Sequence, residues 1–178
     1  MTPQPYKQVV RVFHKDRSGR QPSILTSYHD NGQIKQYLEA VASRANGKYT
    51  QWHPNGQIYI QARVVEGAAQ LNESSQMTWI FDGPCEVFDD EGRLSAIIPY
   101  DKGLLEGDSR YFYPSGAVKK VMPYSSNLLD GDVLFFDEGG ELIGASSYQE
   151  DKQEGRSYHQ GGRNCPKLDE SYRGGKLV

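Results

Sequence analysis

The sequence predicts an all-β protein, a single-layer antiparallel β-meander built from hairpin repeats of about 24 residues. Three observations carry this. Gly83, Gly107, Gly131 and Gly155 stand 24 residues apart. Each is followed at fixed distances by a second turn residue (Gly92, Gly116, Gly140, Asn164) and then by a tyrosine (Tyr100, Tyr124, Tyr148, Tyr172). Between these markers apolar and polar residues alternate, as they do along a strand with two unlike faces.

Residues Tyr6–Phe13 read as a strand with Val10 and Val12 on one face, and Gly19 holds the repeat position of Gly103. Residues 1–22 are therefore expected to form a capping half-repeat, and residues 23–178 the repeat array. The first full unit carries Tyr28, the turn Asp30-Asn31-Gly32 and Ile34; the second begins at Gly47, with Trp52, Pro54-Asn55-Gly56 and Ile58. Asn-Gly between alternating apolar residues is a strong hairpin signal. Later turns fall at Asp90-Glu91-Gly92, Pro114-Ser115-Gly116 and Glu138-Gly139-Gly140, where the last Gly suits a type I turn closed by a left-handed residue. Beyond the turns, Ile58, Ile60, Ala62 and Val64 read as one face, as do Leu94, Ala96, Ile98 and Tyr100, and Val118, Met122 and Tyr124. Two strands per repeat predict roughly 12 strands and a twisted ribbon of ~55 Å at ~4.8 Å per strand. No stretch shows a helical period.

The spacing breaks once. Gly47 and Gly83 are 36 residues apart, so 12 extra residues lie within 68–82. The head of this insertion, Gln70–Ser75, reads as loop, and its tail, Met77–Phe81, as strand. It is expected either to cover the sheet or to bind a partner. In the last unit Gln160 replaces the aromatic and Gly161-Gly162-Arg163-Asn164 replaces the turn. The next leading glycine would fall just beyond Val178, which implies an array that continues or one without a cap.

A net charge of −3 with both signs mixed argues against nucleic acid and anionic lipid as partners. Cys85 and Cys165 occupy different repeat phases, which predicts no disulfide and fits a reducing compartment. The sequence shows neither a secretory leader nor an apolar run long enough to span a membrane, so a cytoplasmic location is expected.

Gly47…Trp52…Asn55-Gly56-Gln57-Ile58 and Gly107…Tyr111-Phe112-Tyr113…Gly116…Tyr124 resemble the MORN repeat, in particular the bacterial MORN-variant repeat. The resemblance covers roughly residues 23–178. It implies a docking module for proteins or membranes, and it extends to chains labelled YwqK-family antitoxins. It admits a toxin, a host protein reached by leaderless secretion, or another cellular protein as partner.

No catalytic constellation is legible. His29 and His53 share one repeat phase and should stand ~10 Å apart, too far to share a zinc without other ligands. They read as polar hairpin-end residues, and neither they nor His14 and His159 have a nucleophile at a family spacing. Acidic pairs such as Asp89-Asp90 and Asp137-Glu138 sit where turns prefer Asp. The glycines lack the order of a phosphate loop. The expectation is a non-enzyme with no cofactor and no metal.

The aromatic rows are the better clue to function. Trp52, Phe88, Phe112 and Phe136 share one phase and read as core. Tyr111 and Phe135, beside Val87, point to the opposite face, whose neighbours in phase, Gln51 and His159, are polar. That second row, extended by Trp79 in the insertion, is the expected protein-binding surface: Tyr111, Phe135, Trp79 and Val87.

Overall fold

The repeat period is realised as hairpins. The computed structural model describes residues 10–13, 15–17, 19–160 and 168–178. The chain divides into two compact units, Met1–Arg93 with Asp101–Gly103, and Leu94–Tyr100 with Leu104–Val178. The expected strand over Tyr6–Val9, together with His14, Cys165 and the turn at Gly161–Asn164, lies outside the described residues.

In the first unit, strands β1 (Val10–Phe13), β2 (Pro22–Tyr28), β3 (Ile34–Val41), β4 (Arg44–Trp52) and β5 (Ile58–Glu66) pair antiparallel in chain order. A short helix, α1 (Glu73–Gln76), follows, and then β6 (Ile80–Phe81) and β7 (Gly83–Phe88), which both pair with β5. The second unit runs through β8 (Leu94–Asp101), β9 (Leu104–Leu105), β10 (Gly107–Phe112), β11 (Val118–Ser125), β12 (Leu128–Leu129), β13 (Gly131–Phe136), β14 (Leu142–Gln149), β15 (Lys152–His159), β16 (Leu168–Arg173) and β17 (Lys176–Leu177). Its pairings are likewise antiparallel. The all-β meander of hairpins holds in each unit.

Two kinds of turn alternate, and both were marked in the sequence. At the long hairpins Gly32, Gly56, Gly92, Gly116 and Gly140 all have positive φ, between +80° and +87°. In the fourth of these, the Gly116 N–H donates to the Tyr113 carbonyl at 2.8 Å and the Tyr113 N–H to the Ala117 carbonyl at 2.8 Å. At the other kind two successive residues are left-handed, as at Ser126-Asn127 (φ 51° and 71°) and Glu150-Asp151 (49° and 66°), the pattern of a type I′ turn. The Asn127 carboxamide accepts the Leu105 N–H at 2.7 Å and the Asp151 carboxylate accepts the Leu129 N–H at 2.8 Å, so each such turn is stapled to the repeat before it.

Gly116 gives a clean test of the turn chemistry. A Cβ there would meet nothing within 4 Å, so only the φ of +86° opposes a side chain. Gly116→Val should cost about 1–2 kcal/mol, and Ala117→Val much less. Equal melting shifts for the two variants would contradict the assigned turn.

The count of roughly 12 strands is corrected to 17 among the described residues, in part because the strand that carries the leading glycine is broken into β6 and β7, β9 and β10, and β12 and β13. At Asp130 the N–H leaves the ladder to donate to the Pro123 carbonyl at 3.1 Å, and Gly131 follows with φ +119°. This is a kink that a side chain would resist, since a Cβ on Gly131 would stand 3.0 Å from Pro123. The expected absence of helix is corrected by α1: Asn72 caps it through its side-chain oxygen, which accepts the Ser75 N–H at 2.9 Å. Four residues are too few to show a period. The expected strand tail of the insertion shrinks to Ile80–Phe81.

A second bulge changes the faces. Tyr111 stands opposite Lys120, but Phe112 stands opposite Val118, and the same slip occurs between Gln51 and Trp52 and between Phe135 and Phe136. Cross-strand partners share a face. Val118 therefore goes with Phe112, while Met122 and Tyr124 go with Tyr111; Ile58 goes with Trp52, apart from Ile60, Ala62 and Val64. The even alternation expected from the sequence stops at each bulge.

Candidate interaction faces

In the first unit, the central cross-strand row is Leu25–Leu38–Tyr49–Ala62, and every member is buried. The insertion lies on this row. Trp79, 8 % exposed, sets its ring edge-on to Tyr49 with centroids 4.8 Å apart, and its indole N–H donates to the Ala68 carbonyl at 2.9 Å. Ala69 and Trp79 join Leu25, Leu38, Ala40, Ala45, Tyr49 and Val64 in one core cluster, with Ile60, Leu71 and Phe81 against it. Beside it runs the row Ser27–Gln36–Gln51–Ile60–Val87. Its polar members are linked in a chain: the Ser27 hydroxyl donates to the Gln36 carboxamide at 2.9 Å, Gln36 to the Tyr49 hydroxyl at 3.2 Å, and that hydroxyl to Gln51 at 2.8 Å. Burial, chiefly, holds the Tyr49 phenol above the usual tyrosine range. Val87 is half-buried in this row, whereas Trp79 is spent on covering the face.

In the second unit the equivalent row is Ala96–Tyr111–Lys120–Phe135–Gly144–His159, built by five successive pairings. Tyr111 and Phe135 are half-buried. The Lys120 ammonium lies 4.5 Å over the Tyr111 ring, and Phe135 meets His159 edge-on at 6.0 Å. Next to this row runs a floor of small residues, with Ser109 1 % exposed, Val133 4 % and Ser157 2 %. Beyond the floor Tyr124, Tyr148 and Tyr172 stand opposite the leading glycines Gly107, Gly131 and Gly155. The result is a trough with aromatic walls. Its hydroxyls are only partly used: Ser146 and Ser157 bond one another at 2.7 Å, and the Ser109 hydroxyl has no partner among the described residues. No segment among the described residues of this unit packs over it as the insertion does in the first.

The expectation that Trp52, Phe88, Phe112 and Phe136 are core is corrected. All four are half-buried, and apart from Thr50 the closed strand side chains lie on the face that carries Tyr49 in the first unit and Tyr111 and Phe135 in the second. The bulge in the return strand accounts for part of this, because it puts the periodic tyrosines Tyr124 and Tyr148 on the side of Tyr111 and Phe135. Lys120, Tyr124 and Tyr148 belong to that face too, and only the register reveals them.

Residues 45–64 and 105–126 match the family model of the MORN repeat variant. A comparison with curated proteins finds no match. The matched stretches are the two the sequence singled out, β4–β5 and the β10–β11 hairpin. MORN repeats are associated with protein and membrane interaction and are typically non-catalytic.

The chemical candidates have structural roles. His29 Nε2 bonds the Trp52 carbonyl at 2.9 Å and His53 Nε2 the Phe88 carbonyl at 3.2 Å, each one repeat on. Tyr113 has the same repeat position and does the same for Phe136 through its hydroxyl, at 2.9 Å. Asp89 instead closes its own turn: the Arg93 backbone N–H, and then the Arg93 guanidinium, hold its carboxyl below the usual range. Cys85 is a buried free thiol, pushed up to about 11 by burial and by Glu86. Among the described residues no group of three or more His, Cys, Asp or Glu is placed to hold a metal ion, and no helix is long and apolar enough to cross a membrane.

Proposed function

We propose that the chain is a non-catalytic scaffold that presents the aromatic trough of its second unit to a protein partner. The observation that supports this is the contrast within one sequence. In the first unit the trough is filled by the chain's own insertion, with an indole on the central row. In the second, the row of Tyr111 and Phe135 is half-exposed, with no such cover among the described residues. Aromatic residues around a desolvated centre are the kind that concentrate binding energy. Val87 flanks the covered face of the first unit and adds a smaller contact. Trp79 contributes by closing that face rather than by touching the partner. The partner is a toxin if the chain works as an antitoxin-like module, or a host or other cellular protein if it is an effector or a scaffold; a cytoplasmic location suits the first and last.

The test is affinity capture from source-cell lysate with the intact chain, Tyr111→Ala, Phe135→Ser, and the opposite-face variant Phe112→Ser. Capture of a defined protein should fall at least tenfold for the first two, as expected for loss of a hot-spot aromatic, and persist for the third. Loss with Phe112→Ser alone would place the partner on the other face.

A further inference from the structure

The insertion does not fill the first unit's face completely. Between residues 69–72 and strands β2 and β3 lies a cavity of about 430 Å³. That is within the range of roughly 300–1,000 Å³ typical of small-molecule sites. Leu25, Ala69 and Leu71 give it an apolar wall, and Ser27 and Gln36 a buried polar floor. Gln36 uses its carbonyl oxygen on Ser27 and one amide hydrogen on Tyr49, which leaves a second amide hydrogen to donate.

Two cations line the same cavity, Arg11 from β1 and Lys35 from β3. Both are half-buried, and neither forms an ion pair among the described residues. Among the described residues Arg11 reaches the Ser23 hydroxyl, at 3.3 and 3.4 Å, and the Phe13 ring, 4.8 Å away. Half-buried charge ordinarily finds a counter-charge.

We propose that this cavity binds a small organic monocarboxylate, its apolar body against Leu25, Ala69 and Leu71 and its carboxylate drawn to the two cations that line it, Arg11 and Lys35. A guanidinium and an ammonium beside one apolar wall select for an anion with a hydrophobic tail over a neutral molecule of the same shape. The ligand would also tie β1 and the insertion to the sheet, so binding raises the melting temperature.

The probe is octanoate, with octan-1-ol as its neutral counterpart, titrated into the full chain and followed by amide chemical shifts. Octanoate should bind saturably, shift the amides of Ser27, Gln36 and Leu71, and bind roughly tenfold or more tightly than octanol. Arg11→Gln and Lys35→Gln should each weaken octanoate by about tenfold and leave octanol unchanged. Equal affinity for octanoate and octanol on the unaltered chain would overturn the proposal, whatever the fate of the variants. So would an absence of shifts at these amides at millimolar octanoate, or full octanoate affinity in the double variant.

Discussion

Trp79→Ala is expected to cost about 3–5 kcal/mol, the largest effect of any single truncation outside the central strands. Three losses combine. The ring leaves a hole between Tyr49 and Phe81, whose centroids it approaches to 4.8 and 6.5 Å. The Ala68 carbonyl loses its indole donor at 2.9 Å. The row Leu25–Leu38–Tyr49, closed at 3 %, 0 % and 3 % exposure, is opened to water. Trp79→Phe should recover part of this, since it restores much of the volume but not the N–H. Denaturant unfolding followed by circular dichroism measures both. A cost for Trp79→Ala under about 1 kcal/mol would mean that the insertion rests on the sheet without stabilising it.

Leu38→Ala should cost about 2–5 kcal/mol, because its side chain is wholly buried at the centre of that row and the neighbouring strands leave little room to collapse. Phe112→Ala, on the half-buried face of the second unit, should cost less than about 2 kcal/mol. The parity of the sequence alone predicts a core-sized loss at Phe112. If Phe112→Ala proves the more damaging, the buried face has been misassigned.

Those two residues show how far the sequence carries. The turns were legible because a backbone with positive φ selects its residues: Gly116, Asn127 and Asp151 announce left-handed positions whatever the rest of the chain does. The fold class followed, because the turns recur at one period. The insertion was legible as a break in that period, and its Trp79 stood out as the aromatic it contributes. The face was not. Parity assigns Phe112 and Tyr111 to opposite sides, which is right, but the bulge opposite Phe112 shifts the return strand by one residue. A bulge is set by cross-strand geometry and leaves no fixed residue type behind. Without it, Tyr124 and Met122 cannot be placed with Tyr111. The role of Trp79 was illegible for a related reason. An aromatic that covers a sheet and one that binds a partner obey the same composition rule, and only the 4.8 Å contact with Tyr49 separates them. The histidines went the other way: reading them as hairpin-end residues was sufficient, and the structure adds the carbonyls they hold.

Hydroxyl-radical footprinting of the chain, alone and in the complex recovered by capture, tests most directly whether the open trough of the second unit is the binding face. The account predicts that Tyr111, Phe135 and Tyr124 are oxidised in the free chain and protected in the complex, while Tyr49 and Trp79 react slowly in both. Protection confined to Phe112 and Phe136, with Tyr111 and Phe135 oxidised equally in both states, would contradict it.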